Sequence, residues 1–102
     1  MDRREEFQIA VDLTGAEPVV TVEGYVDPST APAVRQALLD LVEEGRQKIT
    51  IDLTGVRLMD SSGIGALAHA YRNGAELTVT NPIPIVMKEL VMCGLDRLVT
   101  IK

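Results

Sequence analysis

The spacing of apolar residues changes along the chain, and each change predicts an element of secondary structure. Alternation with a period of two predicts a first strand over 7–13, with Phe7, Ile9, Val11 and Leu13 on one face. Runs rich in β-branched or alternating residues predict further strands over 18–23, 48–53, 76–80 and 99–101. Helical spacing predicts a first helix that ends at Gly45, a second over about 62–72 and a third over about 84–93.

The order of these elements is β-β-α-β-α-β-α-β. A short turn over 14–17 favours an antiparallel hairpin of the first two strands, and Gly24 is expected to end the second strand. Strands and helices alternate after the hairpin, which predicts a largely parallel sheet. Because the chain has 102 residues, the helices are expected to lie mainly on one face of that sheet. We therefore predict a single α/β domain over residues 1–102.

The third predicted helix is apolar almost all round, which is unusual for a helix at a domain surface. Val86, Leu90 and Cys93 fall on one stripe and are expected to face the core. Met87 and Val91 would then be exposed apolar surface. A patch that contains Met often marks a docking site, but plain packing explains the same pattern. A partner-binding role and a packing role for Met87 therefore both stay open.

The composition, 46% hydrophobic and 25% charged, is that of an ordinary soluble globular domain. A formal charge of −5 opposes binding to nucleic acid or to an anionic membrane. The three aromatic residues, Phe7, Tyr25 and Tyr71, are too few for a base-stacking surface. One cysteine, Cys93, and one histidine, His69, do not make a metal site, and no cofactor is indicated.

The chain carries no membrane or export signal that we recognise. No apolar run approaches the ~20 residues that a membrane-spanning helix needs. The N-terminal residues 1–6 are charged and no apolar segment follows them, which argues against a signal peptide. We therefore expect a cytoplasmic protein.

The most informative stretch is 59–65, which reads Met-Asp-Ser-Ser-Gly-Ile-Gly. Asp60, Ser61 and Ser62 sit where a loop enters the second predicted helix. Side-chain oxygens of Asp and Ser accept hydrogen bonds from the unpaired N–H groups of a first helical turn, so a helix cap is the simplest interpretation. The helix itself is expected to bury a stripe of four residues, namely Ile64, Leu67, Ala68 and Tyr71.

Enzyme signatures are weak in this chain. Gly63 and Gly65 begin a G-x-G-x-x-A pattern, but the dinucleotide motif must follow its strand directly, and about nine residues intervene here. Small residues that let the helix approach the sheet explain the pattern better. The one candidate base for Ser61 is His69, roughly 12 Å along the same helix at ~1.5 Å per residue. We expect a protein that is not an enzyme, with a nucleotide-binding or catalytic domain as an outside alternative.

The stretch 52–65 resembles the signature of STAS domains, specifically that of the bacterial anti-sigma factor antagonists. Residues 24–27 with 30–31 look like the family's Gly-x-x-Asp…Thr-Ala turn. Residues 73–77 resemble its entry to the next strand, and 86–95 resemble its last helix and exit. Two departures are Ile83, in place of a small polar residue before the last helix, and the end of the chain right after the last strand.

The resemblance implies that Ser61 is phosphorylated by a cognate anti-sigma factor that is also a serine kinase. The unphosphorylated form would bind that anti-sigma factor and free the sigma factor for transcription, and a serine phosphatase would reset the switch. Asp27, Asp60, Ser62 and Gly63 would line the partner-binding surface around Ser61. The alternative within the same family is a STAS module that serves as an accessory subunit of a transporter or of a larger sensory complex.

Overall fold

The computed structural model describes residues 6–102, so the charged N-terminal residues 1–5 lie outside the description. The elements follow the predicted order. They are β1 (Gln8–Asp12), β2 (Val19–Val26), α1 (Ala31–Glu43), β3 (Lys48–Met59), α2 (Ser61–Arg72), β4 (Glu76–Thr80), α3 (Pro84–Met92), a 3-10 turn (Leu95–Arg97) and β5 (Thr100–Ile101).

The five strands form one sheet in the order β1-β2-β3-β4-β5. β1 runs antiparallel to β2, and every later neighbour is parallel. The hairpin is antiparallel because a six-residue connection, 13–18, returns the chain directly, whereas each parallel pair is joined by a helix. The predicted fold class is confirmed.

The hydrophobic core lies between the sheet and the three helices. Alternate strand residues point into it, among them Val20, Ile51 and Val79, each fully buried. The residues between them face the other way: Thr21, Asp52 and Thr80 are matched across three neighbouring strands and are partly exposed. The sheet therefore has one apolar face under the helices and one polar face open to water, as alternation predicts. Among the described residues, no polar or charged side chain is buried.

β2 and β3 are both longer than predicted. Gly24 does not end β2, because it adopts a φ of +93° inside the strand, a conformation that glycine reaches without strain. β3 continues through Gly55 to Met59, and two irregularities in its register with β2 absorb the extra residues. The alternation in the sequence predicted the end of this strand at Leu53, but Val56 and Met59 are buried and continue it.

The faces of α2 and α3 also differ from the prediction. In α2, Ala70 is buried and Tyr71 is 40% exposed, so the apolar stripe is rotated away from Tyr71. In α3, Val86 and Leu90 are buried as predicted, but Cys93 is exposed. Cys93 lies after the last helical residue, where the chain turns through Gly94 in the left-handed conformation, and Leu95 enters the core instead.

Candidate functional site

The candidate site lies at the carboxyl edge of two neighbouring parallel strands. Val26 and Met59, the last residues of β2 and β3, are paired in register. The next residue of each strand is an aspartate, Asp27 or Asp60. The N–H of Asp60 donates to the carbonyl of Val26 over 3.2 Å, which holds the two turns together. The carboxyl edge of a parallel sheet is where such sites commonly lie, since helices begin there.

Asp60 is the N-cap of α2. Its Oδ1 atom accepts from the N–H of Ser62 over 2.8 Å, and its carbonyl oxygen accepts from the N–H groups of Gly63 and Ile64. Three of the N–H groups at the start of the helix are therefore satisfied by one residue. The capping that the sequence assigned to Asp60, Ser61 and Ser62 jointly falls to Asp60.

Ser61 is the first residue of α2 and is exposed to solvent. Within residues 6–102, its hydroxyl makes no hydrogen bond and its backbone N–H has no acceptor. Ser62, the next residue, is partly buried. Of the two adjacent serines, Ser61 is thus the accessible one, and its hydroxyl is not engaged in holding the fold.

Asp27 organises the second turn of the site. Its Oδ1 atom accepts from the hydroxyl of Ser29 over 2.7 Å and from the N–H of Ser29 over 2.9 Å. Thr30 adds a longer bond from its N–H over 3.2 Å, and its own hydroxyl donates to the carbonyl of Tyr25 over 2.9 Å. The Ser29 hydroxyl is the main cause that lowers the pKa of Asp27, because these donors favour the ionised carboxylate.

The two glycines of the stretch have different surroundings. A Cβ on Gly63 would lie 2.6 Å from Met59 Cγ and 2.8 Å from Val26 Cγ1, so the first turn of α2 can approach the strand ends only without a side chain there. This supports the packing interpretation of Gly63. A Cβ on Gly65 would meet no atom within 4 Å, so the same explanation does not apply to Gly65.

Met87 is less exposed than the sequence suggested. It is partly buried and packs against the core, whereas Ile85, Val91 and Met92 form the exposed apolar part of α3, at 54%, 47% and 71%. Because β4 is parallel to β3, α3 begins at the same edge of the sheet as Asp60. The structure therefore brings Asp27, Asp60, Ser61, Ser62 and Gly63 together around the start of α2, with Met87 placed inside the neighbouring helix.

Sequence reasoning missed a groove of about 410 Å³ between α1 and α2. Its lining includes two arginines, Arg35 from α1 and Arg72 from α2, together with His69 from α2, and Ser62 lies at one end. His69 is partly buried there. A signal was present: Ser62, Gly65, His69 and Arg72 recur at helical spacing, on a stripe beside the buried one.

Over the described range 6–102, no cluster of three or more His, Cys, Asp or Glu side chains is placed to hold a metal ion. In the same range, no helix has the length and apolar character to cross a membrane.

A sheet with one antiparallel edge strand, three helices on one face and a serine pair at the start of the second helix defines the class of protein. The family model described as "Mlab, STAS domain" matches residues 9–100. The chain belongs to the STAS domain family.

Relatives within this family are named as antagonists. The chain is 28% identical over 100 residues to the anti-sigma F factor antagonist of Paenibacillus polymyxa, covering 93% of this chain and 86% of the relative. It is 38% identical over 81 residues to the anti-sigma-B factor antagonist of Listeria monocytogenes, which covers 78% of this chain and 62% of that longer relative. The crystal structure of an anti-sigma factor antagonist from Mycobacterium paratuberculosis superposes with a TM-score of 0.83 at 27% identity, covering 95% of this chain and 86% of that one.

Proposed function

We propose that this protein is an anti-sigma factor antagonist whose binding to its anti-sigma factor is ended by phosphorylation of Ser61. The observation that carries the proposal is the exposed Ser61 hydroxyl at the start of α2, left without a structural task because Asp60 caps the helix. The names of the relatives support the antagonist role. The interaction would take place in the cytoplasm, where transcription is controlled.

The chemistry would be supplied by the partner. An anti-sigma factor with serine kinase activity would transfer the γ-phosphoryl group of ATP to Ser61 Oγ. A P–O bond forms at Ser61, the bond to ADP breaks, and the hydroxyl proton passes to a base of the kinase. A serine phosphatase would hydrolyse the ester and restore the hydroxyl. This chain supplies the substrate and a surface, and we propose that it is not itself an enzyme.

The added phosphate would enter a surface that is already acidic. Asp27 and Asp60 stand at the ends of adjacent strands, and phosphoserine adds about −1.5 to −2 charges between them and the partner. A partner surface that fits a neutral hydroxyl would have to desolvate this dianion. A loss of only ~3 kcal/mol in binding free energy weakens affinity more than a hundredfold.

The fold itself would tolerate the phosphate. The N–H of Ser61 has no acceptor within the described chain, and the positive end of the α2 dipole lies at the same place. Phosphate oxygens can therefore be stabilised locally. The switch would act on the contact surface and would need no refolding of the domain.

Incubation with the candidate anti-sigma factor and Mg-ATP, followed by phosphosite mapping by mass spectrometry, tests this function. We expect one phosphate on Ser61 in the wild type and in Ser62→Ala, and none in Ser61→Ala. Ser62→Ala is the matched control because it lies one residue along the same helix turn. A phosphate that persists in Ser61→Ala, or full binding of the phosphorylated protein to the anti-sigma factor, would refute the proposal.

The alternative is a STAS module that serves as an accessory subunit of a transporter or sensory complex. The description of the matching family speaks of a STAS domain and does not restrict it to antagonists. Affinity purification from the native host separates the two functions. Recovery of an ABC-type ATPase with no kinase would favour the accessory module, and recovery of a kinase-like anti-sigma factor would favour the antagonist.

A further inference from the structure

The groove between α1 and α2 is positively charged although the protein as a whole is not. Arg35, His69 and Arg72 line it, and none of its lining residues in the described chain is an aspartate or a glutamate. The whole protein carries a formal charge of −5. We call this feature the basic groove, defined by Arg35, Gly65, His69 and Arg72.

The two arginines of the basic groove are available to a ligand. Both are exposed, and neither forms an ion pair with another residue in the part of the chain that the structure describes. A guanidinium group presents several N–H donors in one plane and pairs well with a carboxylate. The charge of the groove is therefore matched to an acidic side chain.

The floor of the basic groove is kept low by small residues. Ala31 and Ala66 are buried where α1 meets α2, and Gly65 stands beside them in the middle of α2. Glycine weakens a helix relative to alanine, and at Gly65 no neighbouring atom requires its small size. Its absence of a side chain keeps the space above the floor open, which is useful if another chain occupies it.

The basic groove is continuous with the candidate site. Its lining extends along α2 from Ser62, next to Ser61, to Arg72. Ten residues of helix span about 15 Å, the length of about four or five residues of extended chain. A protein that contacts Ser61 can therefore place an extended segment along the groove in the same binding event.

We propose that the basic groove binds an acidic, extended segment of the anti-sigma factor, with carboxylates paired to Arg35 and Arg72. This inference rests on the proposed function for the identity of the partner. The groove itself can be tested without that partner, so the two proposals can fail separately.

The first experiment uses an acetylated hexaglutamate peptide as the probe and the ¹⁵N-labelled protein as the target. Addition of up to about 10 mM peptide, the range expected for a few exposed ion pairs, should shift the amide signals of Gly65, Ala66 and His69. The shifts should shrink as salt rises from about 0.05 to about 0.5 M, because exposed charges are then screened. A hexalysine peptide should leave these signals in place.

Charge reversal supplies the matched control. The Arg35→Glu/Arg72→Glu variant should lose the peptide-induced shifts. The Arg97→Glu/Lys102→Glu variant changes the net charge equally at exposed positions away from the groove and should keep them. If the first variant does not give a folded spectrum, Arg35→Gln/Arg72→Gln replaces it. Shifts that are absent in the wild type, that survive in the groove variant, or that lie on the open sheet face would overturn the inference.

The second experiment measures affinity for the anti-sigma factor by calorimetry. The groove variant should bind at least tenfold more weakly than the Arg97→Glu/Lys102→Glu control. Equal affinities of the two variants would refute the proposed binding role of the groove and would leave the antagonist function unaffected. No binding of the wild type, together with a positive peptide titration, would refute the antagonist function and retain the groove as an acidic-peptide site.

Discussion

The Oδ1 atom of Asp60 accepts a 2.8 Å hydrogen bond from the N–H of Ser62, and this bond passes over the residue between them. Ser61 is consequently inside the helix by backbone conformation but outside the capping network. Helix capping and the exposure of a serine hydroxyl are therefore carried by different residues, which the sequence Asp-Ser-Ser alone does not reveal. Asp60 begins the helix, and Ser61 is displayed.

Replacement of the cap should cost stability, and replacement of Ser61 should not. We expect Asp60→Ala to lower the free energy of unfolding by about 1 kcal/mol, because the Ser62 N–H loses its acceptor. That corresponds to a fall of about 4–8 °C in Tm for a domain of this size. Ser61→Ala should stay within about 0.5 kcal/mol of the wild type. Urea denaturation followed by circular dichroism measures both, and a larger loss for Ser61→Ala would show that its hydroxyl supports the fold.

Charge at position 61 should matter more than size. Ser61→Asp should bind the anti-sigma factor more than a hundredfold more weakly than the wild type, which corresponds to ~3 kcal/mol. Ser61→Asn has nearly the same shape without the charge and serves as the control. Calorimetric titration compares the two. Equal losses for Asp and Asn would show that the effect is steric, which contradicts an electrostatic switch.

The two glycines should respond oppositely to alanine. Gly63→Ala places a methyl group against Met59 and Val26, and overpacking of this kind costs about 1–3 kcal/mol, partly offset by up to about 1 kcal/mol of helix propensity. Gly65→Ala meets open space and should stabilise the domain by up to about 1 kcal/mol. Thermal denaturation of the pair checks the signs. A stabilised Gly63→Ala variant would mean that the side chains of Met59 and Val26 move aside at little cost in free energy.

Ser29 should control the ionisation of Asp27. The pKa of Asp27 is lowered chiefly by the Ser29 hydroxyl, so the folded state binds its proton less readily than the unfolded state does. The stabilisation from this carboxylate is therefore present above the ordinary pKa of about 4 and is lost as the pH falls through the lowered value. In Ser29→Ala, an NMR titration should find the Asp27 pKa closer to its ordinary value. An unchanged pKa would assign the shift to the backbone donors instead.

Substitutions at Met87 and Met92 should distinguish a packed residue of α3 from an exposed one. Met87 is packed against the core, so Met87→Asp should lower the unfolding free energy by about 1–3 kcal/mol through an unpaired, partly buried carboxylate. Met92 is 71% exposed, and Met92→Asp should change it by less than about 0.5 kcal/mol. Chemical denaturation of both variants decides between the two interpretations of Met87. Similar stability of the two variants would show that Met87 is a surface residue.

Element order and sheet type could be predicted from the sequence because each depends on local periodicity. The length of β3 could not, because the strand continues past Leu53 through an irregular pairing with β2 that local periodicity does not show. A similar limit applied to Cys93. Its position on the apolar stripe of α3 predicted burial, but the helix ends at Met92 and the stripe no longer applies.

The site could be located from the stretch 59–65, but the separate roles of its residues could not be predicted from it. Which of Asp60, Ser61 and Ser62 caps the helix depends on where the first helical residue falls, to within a single position. The basic groove was harder still to foresee. Arg35 lies on one helix and Arg72 on another, and only the packing of α1 against α2 brings them to a common space.

The backbone bond from Asp60 to Val26 fastens the start of α2 to the end of β2. Under the proposed function, kinase and phosphatase therefore meet the same main-chain shape before and after each reaction. Neither direction would then be delayed by a folding step. The fraction of molecules that carry phosphate at any moment would report the ratio of the two enzyme activities, and the domain would serve as a readout of that ratio.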